Sequence, residues 1–202
     1  MQAVIEIEDT LPPTPEKEEA RQSMVFLDET DELYNLSAID SALEKMALSI
    51  REDYHDKNPL VIGVMNGAVV TLGHLLPKFS FLLEVDYCHA TRYGKETTGG
   101  AIDWLAYPNK SLKDRHVLLV DDIFDEGVTL KHITEFCKTQ GASTVKTAVL
   151  LDKKHQRKVK DFTVDYVALP VDDRYVFGFG LDYKGHYRNA PGVYAIPEHL
   201  LS

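Results

Sequence analysis

Five short apolar runs, set between segments of helical periodicity, leave this chain few ways to bury its hydrophobic residues. Leu60–Met65, Phe81–Cys88, His116–Val120, Val145–Leu151 and Asp165–Leu169 are too short for helices and read as strands. His116-Val-Leu-Leu-Val120 shows no polar alternation, the pattern of a strand covered on both faces. Between the runs, Ile39, Leu43, Met46, Ala47 and Ile50 share one helical face, with Ser37-Ala-Ile-Asp40 as the expected N-cap. Residues 68 to 76 resume a helical pattern that ends before Pro77. Leu130, Ile133, Phe136 and Cys137 mark another helix, closed by Gly141. Strand and helix in alternation predict an α/β fold, a central parallel twisted sheet flanked by helices.

A chain of 202 residues fits one core better than two small ones. Its net charge of −10 opposes general nucleic-acid binding, which draws its affinity from cations on phosphates. Two isolated cysteines, Cys88 and Cys137, build neither a disulfide framework nor a Cys-x-x-Cys metal site, and a reducing cytoplasm is the expected location. Residues 1 to about 22 are acidic, interrupted by Pro12, Pro13 and Pro15, and read as an arm, neither signal peptide nor anchor. No stretch is long and apolar enough to span a bilayer, so no membrane association is expected. Residues 91 to 103, TRYGKETTGGAID, lack periodicity and are expected to be a long mobile loop. The basic run Lys153–Lys160 reads as a solvated loop.

Chemistry concentrates in Val117-Leu-Leu-Val-Asp-Asp-Ile-Phe-Asp-Glu-Gly-Val-Thr-Leu130, where an apolar strand ends in acids and leads into a helix. Ligands of open α/β sheets bind at such carboxyl ends. Gly127 and Thr129 fall where N–H groups at the start of a helix, with the helix dipole, favour a phosphate. Asp121 and Asp122 alternate in direction, so one can face the cleft while the other turns to neighbouring structure, and such carboxylates suit ribose hydroxyls or a cation. Asp125, between the acid pair and the phosphate loop, is the natural group for proton transfer. For a lone Asp pair, helix capping and loop solvation would serve as well.

Thirteen residues of this stretch, Val117 to Thr129, resemble the phosphoribosyl-pyrophosphate loop of type I phosphoribosyltransferases. Gly63-Val-Met-Asn-Gly67, Arg92-Tyr93, Leu150-Leu-Asp-Lys153, Arg174–Tyr183 and Arg188 extend the resemblance, to the hypoxanthine-guanine phosphoribosyltransferases, over most of residues 60 to 196. It implies a transferase joining hypoxanthine or guanine to phosphoribosyl pyrophosphate with Mg²⁺. The fold it implies is a core over 37–170, with a small hood from an N-terminal segment, 1–36, and a C-terminal one, 171–202. On the matching positions it implies that Glu126, Gly127, Val128 and Thr129 hold the 5-phosphate and that Asp121 and Asp122 meet the ribose hydroxyls. Asp125 would be the acid/base near purine N7, and Lys153 would donate to O6, disfavouring adenine. Tyr175 would stack on the base, Val176 would bond its edge through the backbone, and Asp182 would stand near Mg²⁺ with Asp121 and Asp122. Met65, Asn66 and Gly67, with a cis peptide at Met65-Asn66, would hold pyrophosphate together with Arg188. Arg92 and Tyr93, followed by Gly94, would belong to a closing lid. Relatives form homodimers or homotetramers, which the resemblance extends to this chain.

Three positions depart from the pattern: Glu126 where a small hydroxyl residue is common, Val128 where a basic or polar one is frequent, and Asn66 where Lys often stands. Glu126 is expected to act through its N–H with its carboxylate turned away from the dianion. The alternative is a regulatory, RNA-binding protein on the same fold, against which Asp125 and the acidic composition speak. A receiver domain would carry its acid pair near the first strand. A P-loop enzyme or a Rossmann dinucleotide site lacks its Gly-rich motif here.

Overall fold

The computed structural model describes residues 29–92 and 102–200. The expected arm over residues 1 to 22 and most of the expected lid lie outside them.

A six-stranded sheet has the order β4-β3-β2-β5-β6-β7, built from β2 (Leu60–Val64), β3 (Glu84–Arg92), β4 (Ile102–Ala106), β5 (His116–Phe124), β6 (Thr144–Lys154) and β7 (Tyr166–Asp172). All neighbours pair in parallel except β4, which runs antiparallel along β3. A second, three-stranded antiparallel sheet joins β1 (Asp31–Tyr34), β9 (Val193–Ala195) and β8 (Val176–Phe177). It stands near the carboxyl ends of the large sheet through the segments around Tyr175 and Gly180.

Alternation along β5 sorts two cores onto opposite faces. Leu118 and Val120 pack with Ile39, Leu43 and Ile50 of helix α1 (Leu36–Tyr54) and with Leu72 and Leu75 of α2 (Ala68–Leu75). Val117 and Leu119 pack with Leu130, Ile133 and Cys137 of α3 (Val128–Thr139). The five periodic residues expected on the first helix are all buried. Its N-cap is Asn35 and not Ser37: the Asn35 side chain accepts from Ala38 N at 2.9 Å, which carries the helix start two residues further back. Gly141, at φ +86°, follows the last turn of α3 in the left-handed conformation that ends helices.

Strand boundaries differ from expectation, with β6 running on to Lys154 and β7 to Asp172. β3 starts at Glu84, where Glu84 N bonds Pro59 O, and runs on to Arg92. The expected loop over 91–103 is therefore strand at both ends, because Ile102-Asp-Trp-Leu-Ala106 alternates inward and outward and pairs with His89–Arg92. β5 continues through both acids to Phe124, since β6 keeps pairing with it at Asp121↔Val149, Ile123↔Leu151 and Phe124↔Asp152. Acidic side chains do not end a strand whose backbone partners continue.

Tyr54, 2% exposed, anchors α1 to the sheet by donating to Val117 O at 2.9 Å. Tyr54→Phe removes this donor within the core and is expected to cost about 1 kcal/mol, read as a lower urea midpoint at unchanged slope.

Candidate active site

β2 pairs with β3 on one side and β5 on the other, so the chain direction across the sheet reverses there, and a crevice opens at the carboxyl ends of these strands. A cleft of ≈ 330 Å³ is lined by the Met65-Asn66-Gly67 turn after β2, by Asp121 and Asp122, by the Asp125–Leu130 stretch and by Asp182 and Arg188. The Met65-Asn66 peptide is cis. A second cavity of ≈ 250 Å³ adjoins it, sharing Asp122, Ile123, Asp125 and Asp182 and adding Lys153, Tyr175 and Val176. Every expected site residue with a described side chain thus lines one of two joined chambers. Arg92 is the last residue of β3, and Tyr93 lies outside the described residues.

The loop from β5 to α3 depends on Gly127. Its φ of +80° is left-handed, and a Cβ there would stand 2.1 Å from the Phe124 ring. Gly127 O takes the first helical bond, from Lys131 N at 3.0 Å, which leaves the N–H groups at the start of α3 directed to the cleft. Gly67 is required sterically: a Cβ would fall 2.0 Å from Asp122 Oδ2. The Asp122 carboxylate lies directly on the turn that follows β2.

Asp121 and Asp122 both line the larger cleft, contrary to the expected division between cleft and neighbouring structure. They sit at the rim, where side chains from either face of a sheet reach the same edge. Burial first, and then the Asp122 charge, push the Asp121 carboxyl well above the usual range. Burial also raises Asp122, against the opposing Asp121 hydrogen bond and Arg188 charge.

Asp125 is controlled differently. Its Oδ2 accepts from Lys153 Nζ at 2.7 Å, and its Oδ1 lies 2.7 Å from His155 Nε2. Burial would raise its pKa, but the Lys153 and His155 hydrogen bonds outweigh it and hold the carboxylate below the usual range. The basic run is only in part the solvated loop expected: Lys153 and Lys154 end β6, and Lys153 is buried, while Arg157 and Lys160 are exposed. Lys154 and Lys158 both grip Asp152, and Arg157 forks onto Asp173 with two bonds of 2.7 Å. Val159 N bonds Glu126 O at 2.8 Å, tying this segment to the loop between β5 and α3.

Arg188 closes the far wall: Nη1 donates to Gly180 O and Nη2 to Asp182 Oδ1, each at 2.6 Å. Asp182 Oδ2 accepts from Gly185 N at 2.8 Å. Tyr175 is 45% exposed, its ring edge-on to Tyr183 with centroids 5.5 Å apart. Three polar lining or contacting residues escaped the sequence reading: His89, Thr91 and His155. Alternation along β3 puts His89 and Thr91 on one face, but only the true strand end reveals that this face reaches the cleft.

The profile described as "Phosphoribosyl transferase domain" matches residues 29–184. The chain belongs to the phosphoribosyltransferase family. Within it, the chain is 34% identical over 165 residues to a hypoxanthine-guanine phosphoribosyltransferase of Streptococcus pneumoniae, covering 81% of this chain and 91% of that one. It is equally identical, at 34% over 171 residues, to the enzyme of that name from Streptococcus pyogenes, covering 84% and 94%. Among solved structures, a hypoxanthine-guanine-xanthine phosphoribosyltransferase superposes with a TM-score of 0.77 at 31% identity, covering 85% of this chain and 99% of that one. A Staphylococcus aureus hypoxanthine phosphoribosyltransferase gives 0.83 at 25%, covering 88% and 97%.

The raised Asp121 pKa makes this phosphoribosyltransferase pay in stability for its site. From about pH 4, where an unfolded aspartate ionises, up to the higher folded value, the native state binds more protons than the unfolded one, so stability falls as pH rises. Asp121→Asn removes this loss. Its unfolding midpoint is expected to exceed the wild type's at pH 8, by a margin that shrinks at pH 4.5.

Proposed function

We propose that this phosphoribosyltransferase makes IMP or GMP and pyrophosphate from hypoxanthine or guanine and phosphoribosyl pyrophosphate. The reading rests on two joined chambers that meet at Asp125: one walled by N–H donors and acids, the other by a cation and an exposed aromatic ring. The first suits a sugar phosphate and its leaving group, and the second a flat base bearing an oxo group.

In this reading the 5-phosphate sits on the main-chain donors of Glu126, Gly127, Val128 and Thr129, where the helix dipole adds to their attraction. The ribose hydroxyls meet Asp121 and Asp122. Pyrophosphate lies against Met65, Asn66, Gly67 and Arg188, whose guanidinium meets charge as it develops. Arg92 and Tyr93 belong to the lid, and the three-stranded sheet is the hood beneath which the base enters. Tyr175 offers a π face and Val176 its backbone to the base, while Lys153 donates to O6. As the C1′–O bond to pyrophosphate breaks and the C1′–N9 bond forms, Asp125 takes the proton from the imidazole ring of the base. Its depressed pKa keeps it ionised, ready for that proton and able to stabilise positive charge at C1′.

Mg²⁺ is the expected cofactor. Among the described residues no three His, Cys, Asp or Glu side chains are grouped to hold an ion, and Asp182 is engaged by Arg188. The acids are hard oxygen donors that fit Mg²⁺ only as part of a shell completed by substrate oxygens and water. Asp121, Asp122 and Asp182 would hold it, and when bound it would neutralise charge on the leaving pyrophosphate. The protein is expected to work in the cytoplasm as a homodimer or homotetramer. No helix among the described residues is long and apolar enough to cross a membrane.

The test is a panel of hypoxanthine, guanine, xanthine, adenine and uracil, each given with phosphoribosyl pyrophosphate and Mg²⁺ while nucleotide is measured. Hypoxanthine and guanine should react and adenine should not, and no product from any purine would end the proposal. Asp125→Asn should lower kcat by about a hundredfold or more while leaving KM for the base close to the wild-type value.

A further inference from the structure

His155 is the one member of the basic run whose partner on each ring nitrogen is defined. Nδ1 lies 3.0 Å from the backbone N of Arg157, and Nε2 lies 2.7 Å from Asp125 Oδ1. A backbone N–H can only donate, so Nδ1 must present its lone pair, and the ring proton is fixed on Nε2. The side chain is 3% exposed, against 42% for Asp125, so no ligand entering the cleft can displace it.

We infer that His155 is a positioning residue for Asp125, a neutral donor that holds one carboxylate oxygen permanently while the other is released to the purine. This rests on the function proposed above. In the unliganded protein both Asp125 oxygens are occupied, Oδ1 by His155 and Oδ2 by Lys153. Lys153 also lines the base chamber, whereas His155 does not. When the base draws the Lys153 ammonium to its oxo group, Oδ2 is freed toward the imidazole ring of the base, and the Oδ1 bond keeps the carboxylate from turning away. The charged groups around this pair are Lys153 on β6, the Arg157–Asp173 fork and Glu126 on the phosphate loop. Losing an uncharged donor leaves all of them in place.

The experiment compares wild type, His155→Phe and His155→Gln for kcat and KM with hypoxanthine across pH, and reads the His155 ring of the unliganded wild type by ¹⁵N NMR. His155→Phe should lower kcat roughly tenfold with KM for hypoxanthine little changed. Its acidic limb should move to higher pH, because removing a donor from the ionised form raises the carboxylate pKa. His155→Gln, whose amide N–H₂ can occupy the place of Nε2–H, should restore most of kcat and return the limb. The NMR should show Nδ1 unprotonated and Nε2 protonated. A protonated Nδ1, or a His155→Phe enzyme with wild-type kcat and an unmoved limb, overturns the inference. So does an equal loss in both variants without a shift of the limb, the mark of a merely structural residue. A wild type inert with every purine would instead remove the proposed function, and the ring tautomer would still be read without substrate. If His155→Phe does not fold, the glutamine variant and the tautomer decide.

Discussion

The site depends on the parallel pairing of β5 with β6 beyond the last apolar residue of β5. Hydrogen bonding along this ladder carries the backbone through Asp121, Asp122 and Ile123 to Phe124. Two carboxylates are thereby held at a rigid strand end, and the left-handed Gly127 can turn the chain at once into α3. A flexible acidic loop would let the two charges separate into water. The ladder prevents this, and the cost is visible in the raised pKa of both acids. The same ladder brings Lys153 and His155, at the end of β6 and just past it, beside Asp125 one strand away.

The acids of the cleft are treated in two ways. Asp121 and Asp122 are crowded against each other, and Asp122 against the Gly67 turn, with Arg188 the nearby cation. That arrangement stores an attraction for hydroxyl donors and cations. Asp125 is instead satisfied on both oxygens, which keeps it ionised and oriented. Neighbouring carboxylates are thus shifted in opposite directions because their surroundings differ, the usual basis for dividing roles among identical groups. The basic segment at the end of β6 supplies much of this difference, while Lys154 and Lys158 pair with Asp152 and Arg157 with Asp173.

Apolar periodicity located the three helices, the strands at Leu60, His116 and Val145, and the residues that α1 buries, because burial on one face leaves a repeating mark. The acid cluster and the glycine that follows it were legible for a similar reason: few backbones need those residue types at that spacing. The N-cap at Asn35 was missed because Ser37 offered an equally good local signal. β4 was missed because five alternating residues at a sheet edge look like loop until β3 pairs with them. The function of the basic run was invisible, since a cation that will pair and one that will stay in water have the same local sequence.

Taken alone, the sequence determined the α/β alternation, the strand that ends in acids, the glycine turn that follows them and the family, since each is encoded within a short window. Only the tertiary structure decided that both acids face one cleft, that the second cavity joins it at Asp125, and that His89, Thr91 and His155 belong to the site. These are contacts between residues far apart in the chain. They are fixed by how strands are ordered and where each ends, and strand order is set by packing on both faces of the sheet, which no single segment records.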